Sequence, residues 1–236
     1  MNIDKCRGSL SNRYKEFILN ENVWTEIINY FGSNTISYLV LVKGHISISF
    51  LALMIASIVG IFCGYICDKY RKCEKIMIPI FQVLRIIPSL AILVMLLPVL
   101  GVGFKSAMCA LVLLAVPPIL MNTVAGLREV PDFILETAYG MGMTKWQVLF
   151  KIRFPLAMPL LLTGIKTAMI EIIASATLAS KIGAGGLGDI IFTGLGLFKI
   201  ELLLIGGVSV AVLSIAAGTV LDMVDKFWGK YKYAGR

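Results

Sequence analysis

Long apolar runs alternate with short charged segments along this chain. Five of the runs approach or exceed the length of about 20 apolar residues that a helix needs to cross the core of a bilayer. They cover approximately residues 38–67, 76–101, 105–127, 157–182 and 198–224. Runs of this length without strand-like alternation favour helices over a barrel, because backbone groups in lipid must satisfy one another. The pattern predicts an all-α, polytopic membrane protein with about five transmembrane helices.

Composition agrees with this setting. Of the 236 residues, 58% are hydrophobic and 15% are charged, and the mean hydropathy is +0.87. These values lie far from those of a typical soluble domain. A net charge of +8 can indicate nucleic-acid binding in a soluble protein, but here the charge flanks apolar runs. We therefore expect the lipid bilayer, and no nucleic acid, as a partner.

The placement of lysine and arginine predicts the orientation. Basic residues concentrate in the segments 68–75, 128–153 and 226–236. With five spans these segments fall on one side of the membrane, which the positive-inside rule makes the cytoplasm. The amino terminus is then expected outside, even though four basic residues precede the first span: Lys5, Arg7, Arg13 and Lys15.

We expect three parts along the chain. An amino-terminal tail covers residues 1–35, a transmembrane domain covers residues 36–225, and a basic cytoplasmic tail covers residues 226–236. The transmembrane domain contains a long cytoplasmic loop at 129–157. No apolar core precedes Ile36, so no cleavable signal peptide is expected.

Within the first tail, four apolar residues recur at the spacing of one helix face: Trp24, Ile27, Ile28 and Phe31. This spacing predicts a short helix that lies in the membrane interface. Plain disorder is the alternative.

Two patterns invite a cofactor interpretation. The segment 183–188 fits G-x-G-x-x-G, but it follows a membrane helix on the outer side, where a tight turn that lets helices pack closely is the better interpretation. Cys63 and Cys67 lie one turn apart near Cys73, yet the single histidine, His45, is near the opposite end of that span. The cysteines are therefore interpreted as small, buried hydrophobic side chains and not as metal ligands.

No phosphate-binding loop of the form G-x-x-x-x-G-K-[ST] occurs, so any ATP hydrolysis would take place on another polypeptide. We expect no metal and no cofactor.

The loop at 129–157 is a charged, helix-forming segment between two apolar runs. Its spacing resembles the EAA loop, E-A-A-x3-G-x9-I-x-L-P, of permease subunits of type I ABC importers. The matching positions are Glu136, Ala138, Gly142, Ile152 and Pro155. Thr137 replaces the second alanine of the motif and Phe154 replaces the leucine.

The resemblance implies that this loop forms a short coupling helix that enters a groove on a cytoplasmic ABC ATPase. An apolar helix face would be formed by Phe133, Ile134, Thr137 and Ala138. The alternative is an amphipathic loop that merely caps the bundle. Glu136 is not expected to be a catalytic acid, because no histidine, lysine or metal cluster is predicted beside it. The expected ATPase-coupling residues are Glu136, Ala138, Gly142, Lys145, Trp146, Ile152 and Pro155.

Further segments narrow the resemblance to permeases of osmoprotectant importers. These segments are IPSLA at 87–91, LPVLGVGF at 97–104, PILMNT at 118–123, GMGMTKW at 140–146 and IGAGGLGD at 182–189. The resemblance implies the type I importer permease fold, similar to that of methionine importers, in a bacterial cytoplasmic (inner) membrane. It also implies two permease subunits, identical or related, two ATPases and a separate extracytoplasmic binding protein.

The substrate implied by this resemblance is glycine betaine, choline or carnitine. Another small amine, an amino-acid-like compound or a sulfur-containing zwitterion is the alternative. A membrane-embedded enzyme would need clustered catalytic residues, and an ATP-independent secondary transporter would show inverted repeats with coupling carboxylates. Neither pattern is recognisable in the sequence, so we expect a non-catalytic transport subunit.

Prolines and ionisable residues within the spans mark candidate positions on a translocation path. Pro88 and the pair Pro117–Pro118 interrupt apolar runs and are candidate hinges, with ordinary proline kinks as the alternative. Charged residues that face lipid cost at least about 2.5 kcal/mol, so each should find a partner inside the bundle. The expected path residues are Arg85, Pro88, Ser89, Lys166 and Glu171.

The osmoprotectant resemblance implies a neutral residue at positions 85 and 171 and a basic residue at 166. Arg85 and Glu171 depart from this pattern, whereas Lys166 follows it. We hypothesise that Arg85 and Glu171 form a compensating pair beside the path, with structural locking as the alternative.

Overall fold

The computed structural model describes residues 21–228. All regular secondary structure in this part of the chain is helical, which confirms the predicted all-α class. The predictions for residues 1–20, with their four basic side chains, and for residues 229–236 of the basic tail lie outside the described residues.

The helices are numbered in chain order. They are α1 (Glu21–Lys69), α2 (Arg71–Ile86), α3 (Ser89–Leu100), α4 (Phe104–Arg128), α5 (Asp132–Gly140), α6 (Lys145–Val148), α7 (Phe154–Ala179), α8 (Gly188–Leu197) and α9 (Ile200–Trp228). A π-helical turn (Leu149–Arg153) joins α6 to α7, and a 3-10 turn (Ser180–Ile182) follows α7. Four of these segments are long and apolar enough to cross a membrane, and α2 with α3 can supply a fifth, bent span. The observed number agrees with the prediction of about five.

The second predicted span is not straight. Its two halves, α2 and α3, meet at an angle of 103°. Ile87 between them is extended, with φ −69° and ψ 127°, because the ring of Pro88 disfavours the helical conformation for the preceding residue. Pro88 therefore marks a sharp turn of the chain, and the interruption predicted at this proline is present.

The first span begins earlier than its apolar run. The helical segment predicted at residues 24–31 joins the span in one long helix, α1, with non-helical dihedral angles at Asn34. Trp24 and Ile28 are exposed, whereas Ile27 and Tyr30 pack toward a buried cluster formed by α8 and α9. The Tyr38 hydroxyl lies 2.7 Å from that of Ser209 on α9, so α1 is connected to the last helix near its bend.

Helix α4 lies at the centre of the bundle, between α1 and α7. Most of its residues are buried. Pro117 and Pro118 lie in the middle of α4, yet the helix continues through them without a break. Both are buried among neighbouring helices, so the alternative of an ordinary, packed proline pair is correct and the predicted hinge is not observed here.

Glycines allow the three central helices to approach closely. A Cβ atom built on Gly60 or Gly64 of α1 would lie 2.8 Å or 2.6 Å from side-chain atoms of Ile119 or Thr123 on α4. On the other side, a Cβ on Gly164 of α7 would lie 3.0 Å from the carbonyl oxygen of Pro118. Small residues at such positions are the usual basis of helix association in membranes, where dispersion contacts replace the hydrophobic effect.

Substitution of Gly64 by alanine is therefore expected to push α1 away from α4. Overpacking of this kind costs about 1–3 kcal/mol and should lower the thermal unfolding temperature of the detergent-purified protein. Gly44→Ala is the matched control, since Gly44 lies in the same helix with open space around its Cα atom. Equal unfolding temperatures for the two variants would contradict close packing of α1 on α4.

Candidate coupling surface and translocation path

The segment that resembles an EAA loop contains a short helix followed by a sharp turn. Helix α5 begins after the extended residue Pro131 and ends in a Schellman motif. In this motif the Met143 N–H donates to the Ala138 carbonyl at 3.1 Å, and the Gly142 N–H donates to the Tyr139 carbonyl at 2.9 Å. Gly142 has φ +80°, a conformation that favours glycine. The sharp turn predicted at Gly142 is present.

The exposed face of α5 differs in part from the predicted apolar face. Ala138 is buried with 1% exposure, whereas Phe133 is 68% exposed. Glu136 and Thr137 are also exposed, and Ile134 is partly buried. Ala138 therefore packs inward, and the surface available to a partner combines an aromatic ring, a carboxylate and a hydroxyl group.

After the turn, the chain returns to the membrane through α6 and the π-helical turn. Thr144 caps α6 in a capping box: its N–H donates to the Gln147 side chain at 2.8 Å, and the Gln147 N–H donates to its hydroxyl at 3.4 Å. Ile152 is partly buried in the π turn. Pro155 has no N–H to donate to the carbonyl of Lys151, so the regular α-helical ladder cannot continue through this point. The π-helical geometry occurs at this interruption.

The aromatic residues of this segment form a stack along α1. The rings of Trp146 and Phe150 lie 5.9 Å apart, and those of Phe150 and Phe154 lie 5.8 Å apart. Together with Phe62 and Tyr65 of α1 they line an apolar groove of about 400 Å³. Trp146 thus lines the groove beside α1 but, like its neighbour Lys145, remains exposed.

A network of ion pairs holds the base of the coupling segment. Asp68 at the end of α1 is nearly buried and lies 2.9 Å from the Arg153 guanidinium and 3.7 Å from that of Arg128. Arg128 also binds both carboxylate oxygens of Glu74 on α2, at 2.6 Å and 2.8 Å. Arg153 donates a further hydrogen bond of 2.9 Å to the Leu127 carbonyl. The π turn is therefore connected to the ends of α1, α2 and α4.

This network is not predicted by the sequence pattern. The basic segments that contain Arg128 and Arg153 indicate only the orientation, and Asp68 and Glu74 have no predicted role. The available signal was the presence of two acidic residues within the basic segment 68–75. Local sequence could not identify the partners, because Glu74 and Arg128 are 54 residues apart.

The predicted path residues lie in two places. Arg85, Pro88 and Ser89 lie at the bend between α2 and α3, where Arg85 and Pro88 are exposed. Glu171 is partly buried on α7. Among the described residues, no ion pair joins Arg85 to Glu171. The hypothesis that Arg85 and Glu171 form a compensating pair beside the path therefore stays a prediction.

Lys166 forms an ion pair with Asp222, a residue for which the sequence predicted no role. Its ammonium group donates to the Asp222 carboxylate on α9 at 2.5 Å. This agrees with the expectation that a lysine within a span has a charged partner. Since 56 residues separate the two side chains, only the packing of α7 against α9 reveals the pair.

At the predicted outer end, the glycine-rich segment forms a tight turn between α7 and α8. A Cβ on Gly188 would lie 2.1 Å from the Thr177 carbonyl oxygen, and one on Gly186 would lie 3.0 Å from His45 Nδ1. His45 is fully buried, and its Nε2 lies 3.2 Å from the Ile173 carbonyl oxygen. The predicted turn is confirmed. His45, for which the sequence predicted no role, extends from α1 and packs against α7 and this turn.

Comparison with known proteins identifies relatives of high overall similarity. The chain is 38% identical over 199 residues to the carnitine transport permease protein OpuCB of Listeria monocytogenes, covering 84% of this chain and 91% of the relative. It is 40% identical over 182 residues to the glycine betaine/carnitine/choline transport system permease protein OpuCB of Bacillus subtilis, covering 77% and 84%.

The fold is similar to that of a solved importer. Inward-facing MetNI, a methionine ABC transporter, matches with a TM-score of 0.66 and 23% identity, covering 81% of this chain and 98% of the matched chain. The fold and the relatives together define a polytopic permease of the type I ABC importer class. A family model described as "binding-protein-dependent transport system inner membrane component" matches residues 56–230, and the chain belongs to this family.

The ion-pair network predicts the effect of a substitution at its centre. Arg153→Gln removes the 2.9 Å partner of the nearly buried Asp68, and loss of such a charge-assisted hydrogen bond costs about 1.5–3 kcal/mol. We expect a lower unfolding temperature and faster tryptic cleavage at the exposed Lys145. Lys151→Gln is the control, because Lys151 is an exposed residue of the same π turn. A variant at 153 that behaves like the control would show that the network does not hold the segment.

Proposed function

We propose that this chain is the membrane-spanning permease subunit of an ATP-driven importer for a small osmoprotectant such as glycine betaine, choline or carnitine. The relatives named for carnitine, glycine betaine and choline transport support the substrate class. The observation that carries the mechanism is the exposed helix α5, which lies along the chain between Arg128 and Arg153, two residues that form ion pairs with Asp68 of α1. Such an arrangement can pass a movement at the cytoplasmic surface into the bundle.

In this proposal the cytoplasmic ATPase binds the outward face of α5, with Phe133 as the apolar anchor and Glu136 as the charged contact. Gly142 and the capped α6 fix the angle at which α5 is presented. Arg153 then transmits the displacement to Asp68 and hence to α1. ATP is hydrolysed on the partner chain, and this subunit supplies no catalytic group.

The path itself requires further partners. A second permease subunit, identical or related, completes the path, and an extracytoplasmic binding protein delivers the substrate. The bend at Pro88, with Arg85 and Ser89 beside it, provides a hinge for alternating access, and Lys166 and Glu171 on α7 contribute polar groups. We place the complex in the bacterial cytoplasmic (inner) membrane, as a multi-pass protein.

A permease of the same architecture for another small amine, amino-acid-like compound or sulfur zwitterion is the second candidate. Both signs of charge are present on α7 and α9, which suits zwitterions in general and therefore does not distinguish this candidate from glycine betaine or carnitine. An ATP-independent secondary transporter would have no use for an exposed coupling helix, and co-purification of an ATPase distinguishes the two classes.

Uptake measurements test the substrate. We expect that cells lacking this chain lose accumulation of labelled glycine betaine, choline or carnitine at high osmolarity, and that restoring the chain restores it. The ATPase and binding protein are verified by immunodetection in the same cells. If none of the three compounds shows uptake that depends on the chain, the second candidate replaces the first.

A pair of glycine substitutions tests coupling. Gly142→Ala forces a side chain into the left-handed region, at a cost of about 1–2 kcal/mol, and should change the angle between α5 and α6. We expect reduced uptake and reduced co-purification of the ATPase. Gly140→Ala is the matched control, because Gly140 is helical with open space around it. Wild-type uptake in the Gly142 variant, with the ATPase bound, would contradict the proposed role of the turn.

A further inference from the structure

A cleft between α7 and α9 contains an ion pair. Its volume is about 280 Å³, and its lining includes Lys166 and Asp222 together with the hydroxyl-bearing residues Ser214 and Thr219. Gly218 forms part of the wall: a Cβ atom there would lie 3.8 Å from the Cε atom of Lys166. The cleft is therefore small, polar at one end and open beside the lysine side chain.

The ion pair is accessible within the isolated subunit. The Lys166 and Asp222 side chains are 36% and 52% exposed, even though the two groups lie 2.5 Å apart. Lys166 lies nine residues into the apolar run 157–182, or about 14 Å along the helix axis at 1.5 Å per residue, and Asp222 lies two residues before the end of the run 198–224. Charged groups within a span face a water-filled cavity or another protein surface, because exposure to lipid is costly. The cleft thus faces the path or the second subunit.

The chemistry of the pair matches one class of ligand. A zwitterion carries a carboxylate and an ammonium group in a single small molecule, so it can replace both halves of the pair at once. Its carboxylate binds the Lys166 ammonium, and its cationic group lies against the Asp222 carboxylate. Every charge has a partner before and after this exchange, whereas a simple cation that binds Asp222 would leave the Lys166 ammonium group without one.

We propose that the cleft around Lys166 and Asp222 is a transient binding site for zwitterionic substrates that carry a carboxylate and a quaternary ammonium group. The ion pair opens as the substrate enters and forms again after it leaves. This inference rests on the proposed importer function and adds a discriminating site within the membrane subunit itself.

Three variants test the site: Lys166→Gln, Asp222→Asn and the double variant. Uptake of labelled glycine betaine and labelled choline is measured in cells with the complete importer, and assembly is verified by co-purification of the ATPase. Lys166→Gln should lower glycine betaine uptake about tenfold relative to choline uptake, the loss of one charge-assisted hydrogen bond. The double variant should remain impaired for glycine betaine. Lys199→Gln combined with Glu201→Gln removes a second ion pair, of 3.6 Å, and should transport normally.

A structural role gives different results. If the pair only locks α7 to α9, the single variants leave an unpaired charge and the double variant restores uptake, which overturns the site. Unchanged transport in Lys166→Gln, or an equal loss for both substrates, also overturns it. A wild-type importer that carries neither compound removes the proposed function itself, an outcome distinct from failure of the site.

A second measurement does not depend on the charged variants. Ser214→Cys places a thiol in the cleft, and its reaction with a membrane-permeant thiol reagent is followed in the assembled importer, against a wild-type background. Glycine betaine should slow this reaction more than choline at equal concentration. Equal rates with and without glycine betaine overturn the proposal.

Discussion

The close approach of α1 and α7 to α4 is the constraint on which the structure depends. Helices in lipid gain little from leaving an apolar solvent, so their association requires contact at short range. Glycines on α1 and α7 make that contact possible, and the proline pair of α4 lies within the resulting interface. The position of α4 also fixes where its two ends lie, and the glycine-rich turn is found near one end and the ion pairs of Asp68 at the other.

Two groups of charges in this molecule differ in burial and in their number of partners. At the end of α4 facing the coupling segment, Asp68 is almost withdrawn from solvent and contacts two arginines, which suits a permanent joint. In the cleft, Lys166 and Asp222 form a single contact and both remain substantially exposed. Burial with several partners favours rigidity, whereas exposure with one partner allows exchange.

Sequence alone predicted the features that depend on neighbours along the chain. Apolar run length predicted the spans, and the glycines at 142 and 183–188 predicted turns that the structure contains. Pro88 signalled an interruption, but the size of the angle, 103°, could not be inferred from a proline alone. The partners of Lys166 and Arg128 were likewise hidden, since they lie more than fifty residues away in the chain. The proline pair of α4 had the opposite outcome. Two prolines in a row indicate a break in the helix, but the helix continues through them, and both are buried.

The π-helical turn gives the spacing between Gly142 and Pro155 a geometric meaning. Each residue of an α-helix turns the chain by about 100°, so removing one residue from 149–153 would rotate everything before it around the axis of α7. The aromatic stack would then leave α1, and α5 would present a different face to its surroundings. The number of residues between Gly142 and Pro155 therefore sets the rotation of α5 and α6 about the axis of α7. This number can stay fixed while the identities of most intervening side chains vary.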